Sequence, residues 1–207
     1  MKRDLFYTLA IAYLVSIFSI PFLINTDLMT KIPFVFEFLF VVFPLLCVFG
    51  IFVSYLIGRK VLIFWQLAKF GIVGVFNTIM DFGLLNFLIL ITGIVSGTWM
   101  IVMNATSFSL SIFNSYYWNK EWVFPSRKQA RFSTFFVLTL IGLGLNTGIV
   151  FVFTTYIPPI LNLSPILWAN IAKVLATGVS LFWNFGAYKL IVFNENFKGN
   201  QLASLRS

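Results

Sequence analysis

Residues 168–193, WANIAKVLATGVSLFWNFGAYKLIVF, form a long apolar stretch with Lys173 well inside it. A run of about 20 mainly apolar residues is typical of a helix that crosses the roughly 30 Å hydrocarbon core of a membrane. The whole chain has this character: of 207 residues, 60% are hydrophobic, 10% are charged and none is histidine. A soluble protein could not cover its surface with so few polar residues. The sequence therefore predicts an integral membrane protein in which Lys173 needs a polar partner.

Six apolar stretches are separated by segments that are rich in glycine, proline, asparagine and charged residues. Their predicted bounds are 5–24, 33–57, 70–91, 99–118, 132–156 and 166–188. We expect an all-α membrane protein with six transmembrane helices. Residues 1–62 would form an N-terminal two-helix module, residues 63–195 a four-helix transmembrane domain, and residues 196–207 a cytoplasmic tail.

Lysine and arginine lie mainly on one side of this six-span arrangement. Both ends of the chain and the loop at residues 125–131 carry them, whereas Lys31 is alone on the other side. Because basic loops stay in the cytoplasm, both termini are predicted to be cytoplasmic and Thr26 and Ser164 to face outward, in a multi-pass protein of the plasma membrane. The same bias accounts for the net charge of +8, so this charge does not indicate nucleic-acid binding.

The four-helix domain contains an internal repeat. A shift of sixty-nine positions places Lys120 on Lys189, Ser111 on Ser180 and Asn104 on Lys173. Two tandem copies of two helices each enter the membrane in the same direction, so we expect an axis along the membrane normal to relate them. The first two spans have no copy and are interpreted as an added module outside this core.

Polar side chains recur within the predicted spans at steps of three and four residues, which places them on one face of each helix. The stripes are Asn77 and Asp81 in the third span; Asn104, Ser107, Ser111 and Asn114 in the fourth; and Asn170, Lys173, Thr177, Ser180 and Asn184 in the sixth. The pair Asn77 and Thr78 of the third span recurs in the fifth span as Asn146 and Thr147. Packed helices turn such faces away from lipid, so the stripes should line one interior.

Asp81 and Lys173 are predicted to lie at nearly the same depth. Asp81 lies roughly 16 Å from the cytoplasmic start of its span, and Lys173 lies roughly 10 Å from the outer start of its own span. In a core of roughly 30 Å, their levels therefore differ by only a few Å. A charge at the bilayer centre costs at least about 2.5 kcal/mol, so two opposite charges at one level are expected to pair or to face water, and Lys173 and Asp81 are the proposed partners. The pair is either a structural salt bridge or a group that binds or gates a polar cargo.

Three motifs follow one another in the four-helix domain. They are KFGIVGVFNTIMDFG at residues 69–83, NKEWVF at residues 119–124, and Ala172 with Lys173 followed by Asn184 with Phe185. In order and spacing, these motifs resemble the GtrA-like family of membrane proteins over residues 69–193. The resemblance implies translocation of a polyprenyl-phosphate-linked monosaccharide across the membrane, for the glycosylation of cell-surface polysaccharides or glycans.

Such a cargo keeps its tail in lipid while a phosphate and a ring of hydroxyl groups cross the membrane. Amide and hydroxyl side chains can hydrogen-bond the sugar, and Lys120 and Lys189 at the cytoplasmic ends of two spans can attract the phosphate. The candidate substrate-binding residues are Asp81, Lys173, Asn77, Asn104, Ser111, Asn114, Asn119, Lys120, Asn146, Asn170, Thr177, Ser180, Asn184 and Lys189.

Three classes of function fit the sequence. The first is a lipid-linked sugar flippase, the second is a non-transporting membrane partner or anchor of a glycosyltransferase, and the third is a small proton-coupled exporter with Asp81 as its carrier. An enzyme is not expected, because the chain shows no nucleophile with a base, no nucleotide-binding loop and no metal cluster. No cofactor is expected either. The expected partners are a polyprenyl-phosphate sugar lipid and membrane lipids, with a membrane glycosyltransferase and a second copy of the chain as further candidates.

Overall fold

The computed structural model describes residues 1–59, 62–123 and 132–187. Over these residues the chain is helical and contains no β-strand, which confirms the all-α prediction. The long helices are α1 (Lys2–Asn25), α2 (Val35–Gly58), α3 (Leu62–Thr92), α4 (Thr98–Trp118), α5 (Phe132–Tyr156) and α6 (Pro165–Ala187). A π-helical turn lies within α2 at Phe38–Val42, and another extends α4 at Asn119–Val123.

Within the described ranges, three helical segments are long and apolar enough to cross a membrane by length and composition. They are Lys2–Asn25, Val35–Gly58 and Ala68–Thr92, and Leu140–Tyr156 forms a shorter apolar helix. Helix α4 is not among these segments, because the polar side chains that it turns to the interior lower its mean hydropathy. The apolar helices support a membrane protein, and the count of six membrane crossings stays a prediction.

The boundary between the second and third predicted spans differs from the expectation. Helix α3 begins at Leu62 instead of residue 70, so Lys69 lies inside the helix. The break predicted from the sequence lies at Gly58, Arg59 and Lys60, and residues 60–61 lie outside the described ranges. Within the helix, Lys69 pairs with the carboxylate of Asp4 in α1.

Short connections place consecutive helices side by side. Gly93 directly follows the last residue of α3, and Gly97 directly precedes the first residue of α4. Both glycines have positive φ angles, 67° and 80°. Glycine takes this left-handed backbone region without a steric penalty, so it can end one helix and redirect the chain into the next. Helix α6 begins at Pro165, where the missing proline N–H is not needed by a helix.

The helices α3 to α6 surround a common interior. Helix α3 packs on α4, α4 on α5 and α5 on α6, and α6 also contacts α3. Helices α1 and α2 pack against each other and on α3. Of the helix pairs in the described part of the chain, α1 with α3 and α5 with α6 have the most extensive contacts.

The contact between α1 and α3 depends on Gly83. A Cβ atom at this position would lie 2.1 Å from the backbone oxygen of Phe18, which is far closer than two such atoms can approach. The backbones of the two helices therefore touch where they cross. Small residues permit such close packing in membrane helices, where dispersion contacts replace the hydrophobic effect as a source of association.

Two apolar clusters lie on either side of the polar interior along α3. One contains Val73 and Phe76 with residues of α1 and with Trp122. The other contains Leu85 and Ile89 with residues of α4, α5 and α6. Asp81 lies between these two parts of α3.

Candidate functional site

Lys173 of α6 and Asp81 of α3 form a buried ion pair. The Nζ atom of Lys173 lies 2.7 Å from Oδ1 of Asp81, and the side chains are 0% and 5% exposed. The pairing expected from their depth in the sequence is therefore present. Because an isolated charge at this depth would be strongly unfavourable, each group lowers the cost of burying the other.

Amide and hydroxyl groups complete the surroundings of the pair. Oδ1 of Asn104 lies 2.6 Å from the lysine Nζ and accepts a hydrogen bond from it. The hydroxyl of Ser107 donates to Oδ1 of Asp81 at 2.7 Å. Both residues lie on α4, so three helices contribute to the immediate neighbourhood of the ion pair.

The network continues into α5 through Asn104. Its Nδ2 donates to Oδ1 of Asn146 at 2.9 Å and to the hydroxyl of Thr147 at 3.1 Å. Nδ2 of Asn146 in turn donates to the hydroxyl of Ser180 on α6 at 3.2 Å. The four helices α3 to α6 are thus joined by one set of buried hydrogen bonds, which we call the central network: Asp81, Asn104, Ser107, Asn146, Thr147, Lys173 and Ser180.

Residues 69–193 match the model of the GtrA/DPMS transmembrane domain. The chain belongs to this family. The resemblance seen in the sequence is therefore confirmed, and the match connects the protein with lipid-linked sugar translocation in general. Comparison with curated proteins and with solved structures gives no significant match. Every residue of the central network lies inside the GtrA/DPMS domain, whereas α1 and α2 lie outside the matched range.

Two predicted residues of the GtrA/DPMS domain form a separate pair on one side of the central network. Nδ2 of Asn114 donates to Oδ1 of Asn77 at 2.7 Å, and Nε1 of Trp118 donates to Oδ1 of Asn114 at 3.1 Å. Asn77 stands one helical turn before Asp81. The polar stripes of α3 and α4 therefore face each other over several turns.

On the other side of the central network, Asn170 pairs with Asn86 of α3. Each side chain donates to the other, at 2.7 Å and 3.0 Å. Asn25 at the end of α1 also donates to Oδ1 of Asn86, at 3.0 Å. Sequence reasoning missed Asn86, because its spacing of five residues from Asp81 takes it off the stripe. The available signal was an asparagine inside an apolar run.

Other predicted residues are not bonded into the network. The hydroxyl of Ser111 donates to the Phe108 carbonyl of its own helix at 2.8 Å. Oγ1 of Thr177 and Oδ1 of Asn119 are buried and have no hydrogen-bond partner among the residues that the structure describes. Unpaired buried oxygens of this kind are unfavourable in a closed protein and are able to accept hydrogen bonds from a hydroxylated ligand.

Of the two predicted phosphate-attracting lysines, the structure describes Lys120. Lys120 is exposed on the π-helical turn, with its Nζ 5.9 Å from the ring centroid of Tyr116. Lys189 lies outside the described residues, as does the side chain of Asn184. Over residues 1–59, 62–123 and 132–187, no group of three histidine, cysteine, aspartate or glutamate side chains is placed to hold a metal ion.

Proposed function

We propose that the protein moves a polyprenyl-phosphate-linked monosaccharide across the plasma membrane, for use in glycosylation of cell-surface polysaccharides or glycans. In this proposal both termini are cytoplasmic, and the six long helices cross the membrane. The observation that carries the proposal is the position of Lys173, which is fully buried and bonded to Asp81 and Asn104 inside a family domain connected with lipid-linked sugars.

The chemistry of the central network suits the polar part of this cargo. A sugar offers several hydroxyl groups that both donate and accept hydrogen bonds, and asparagine, serine and threonine side chains can do the same without a net charge. The phosphate requires a cation, and Lys173 is the cation of the network. The polyprenyl tail needs no polar contact and can stay in the lipid beside the helices.

In the structure the polar groups of the network bond to one another. Removing one partner of a buried ion pair costs about 3–5 kcal/mol, so the lysine cannot leave Asp81 unless another anion replaces it. We propose that the lipid phosphate is this anion. Ser107 keeps its hydrogen bond to Asp81 during the exchange and so reduces the cost of leaving the carboxylate without a cation.

The pairing of Asp81 also bears on the proton-coupled exporter. In an exporter of that kind, the buried acid takes up and releases protons. Asp81 instead accepts hydrogen bonds from Lys173 and from Ser107, at 2.7 Å each, so both of these partners belong to the central network. We therefore prefer the flippase to the exporter.

The test is transport by the purified protein in proteoliposomes that contain no glycosyltransferase. A polyprenyl phosphate with a labelled monosaccharide is placed in one leaflet, and its arrival in the other leaflet is measured with a membrane-impermeant reagent. We expect movement faster than in protein-free liposomes and no requirement for a proton gradient. Movement that appears only after a glycosyltransferase is added would favour the anchor, and a strict need for a proton gradient would favour the exporter.

A further inference from the structure

Lys69, the first residue of the matched domain, is a second buried lysine outside the central network. It begins the stretch KFGIVG of α3 and is 8% exposed. Its Nζ lies 2.5 Å from Oδ1 of Asp4 in α1. Nε1 of Trp122 donates to the same oxygen at 3.0 Å. Two donors of the matched domain thus converge on one carboxylate that comes from outside it.

Two indole rings form the walls of this position. The Nζ atom of Lys69 lies 4.4 Å from the ring centroid of Trp65 and 5.5 Å from that of Trp122. Contact with aromatic faces stabilises an ammonium group where water is scarce. The lysine therefore has aromatic contacts in addition to its ion pair with Asp4.

An apolar cavity of about 310 Å³ adjoins Asp4 between α1, α2 and α3. Its lining includes Leu45, Phe49, Phe52 and Trp65, and Asp4 is its one acidic member. The Lys69 ammonium group and the Trp122 indole N–H can bind an anion, and the cavity beside Asp4 can hold an apolar chain. Together they match a lipid, which has a charged head next to an apolar chain.

We propose that Lys69 and Trp122 form a binding site for the phosphate head of a membrane lipid, and that Asp4 occupies this site in the structure. The first part of the lipid chain would lie in the cavity. The Asp4 side chain is 13% exposed and belongs to the first turn of α1, where its Oδ2 also lies 3.1 Å from the N-terminal ammonium group. In this proposal the carboxylate moves aside when the lipid binds. A lipid phosphate has more acceptor oxygens than a carboxylate and can accept from both donors at once.

This inference concerns binding and does not depend on transport. Binding is measured with the full-length protein by native mass spectrometry. The probe is phosphatidic acid, and diacylglycerol and inorganic phosphate serve as comparisons that carry only the apolar chains or only the anion. The variants are Asp4→Asn, Lys69→Gln and, as a control, Lys31→Gln, which changes an exposed lysine at the other end of α1 and α2.

We expect Asp4→Asn to bind phosphatidic acid more tightly, on the order of tenfold, which is the usual size of the effect of one charge-assisted hydrogen bond. Lys69→Gln should lose this binding, and Lys31→Gln should bind as the unchanged protein does. Unchanged or weaker binding by Asp4→Asn would overturn the proposal. So would equal binding of diacylglycerol, or binding of inorganic phosphate as tight as that of the lipid.

The Asp4→Asn variant leaves Lys69 without its counter-ion and can therefore be less stable. Its thermal unfolding is measured with and without phosphatidic acid, and the lipid should raise its unfolding temperature more than that of the unchanged protein. The double variant Asp4→Asn/Lys69→Gln keeps two groups that can hydrogen-bond to each other and should fold normally. If the double variant also gained affinity for phosphatidic acid, Lys69 would not be the binding group.

Discussion

Asn104 and Lys173 occupy equivalent positions in the two halves of the repeat that the sequence predicts, and they contact each other, with Oδ1 2.6 Å from Nζ. Such a contact is expected of residues close to an axis that relates two halves. The halves differ chemically at this level, because Val150 stands where a shift of sixty-nine positions would repeat Asp81. One half therefore supplies the acid and the other the base, and a single ion pair results.

Loss of either charge of this pair should stop transport. We expect Lys173→Met and Asp81→Asn each to abolish movement of the sugar lipid in proteoliposomes, because no cation or no displaceable anion remains. Thr106→Val is the control, since Thr106 is exposed on α4 and its hydroxyl donates only to a carbonyl of its own helix. Transport at the normal rate by a well-folded Lys173→Met protein would remove the lysine from the mechanism.

Exchanging the charges separates a transport role from a structural one. The variant Asp81→Lys/Lys173→Asp keeps an ion pair between α3 and α6 but moves the cation to the other helix. If the pair acts in transport, the exchange should restore the yield of folded protein more fully than the transport rate. If the pair is only structural, each single change should destabilise the folded protein by up to about 3–5 kcal/mol and so reduce its yield. The exchange should then restore both the yield and the transport rate.

Replacing Asn86 should weaken the link between α1, α3 and α6. Asn86→Leu leaves the amides of Asn25 and Asn170 without their partner, which should lower the free energy of unfolding by about 1–3 kcal/mol. Thermal unfolding in detergent measures the change. Thr78→Val, an exposed position on the same helix whose hydroxyl bonds to its own turn, should have little effect.

A double variant tests whether Asn86 and Asn170 act as a pair. When both are leucine, no amide of the pair is left unsatisfied, so Asn86→Leu/Asn170→Leu should lose less stability than the sum of the two single changes. Additive losses would show that the two amides do not depend on each other.

Gly83→Ala should separate α1 from α3. The added methyl group would have to occupy the position of the Phe18 carbonyl, so the helices must move apart and the melting temperature should fall. Gly74→Ala on the same helix is the matched control, because a Cβ there meets no atom within 4 Å. Since alanine favours helix by up to about 1 kcal/mol over glycine, Gly74→Ala should be neutral or stabilising. Equal behaviour of the two variants would contradict the close crossing.

The orientation predicted from the basic residues is tested by labelling. With Cys47 replaced by alanine, a cysteine at Thr26 or Ser164 should react with an impermeant maleimide added outside intact cells. A cysteine at Ser126, in the basic loop, should react only after the membrane is opened. Labelling of the Ser164 cysteine from the cytoplasmic side alone would reverse the predicted orientation.

The ion pair was predictable because charged side chains are rare and unfavourable in apolar helices. Asp81 and Lys173 stand out in the sequence, and their depth follows from counting residues along two helices. The partners of Asn86 and Lys69 could not be found in this way. Both are contacted by α1, which has no copy in the repeat, and the sequence gives no signal for how a helix without a copy is rotated about its axis.

The polar stripes were predicted better than the individual hydrogen bonds because a stripe follows from helical periodicity alone. A stripe states which face a side chain takes, and Ser107, Asn104 and Asn146 all face the interior. Whether a hydroxyl bonds across to another helix or back to its own carbonyl depends on distances of less than 1 Å. The Ser107 hydroxyl bonds to Asp81 of α3 and also lies 3.0 Å from the Asn104 carbonyl of its own helix, whereas the Ser111 hydroxyl bonds to the Phe108 carbonyl of its own helix, although both belong to the same stripe.

The crossing at Gly83 has a consequence for cutting the chain into parts. A fragment that starts at Lys69 would contain the whole family match, yet it would expose the groove that the Phe18 backbone fills and would leave Lys69 without the Asp4 carboxylate. Lipid chains cannot follow the shape of a bare helix backbone as closely as a packed helix does. We therefore expect a fragment limited to residues 69–193 to fold less well than a chain that keeps α1.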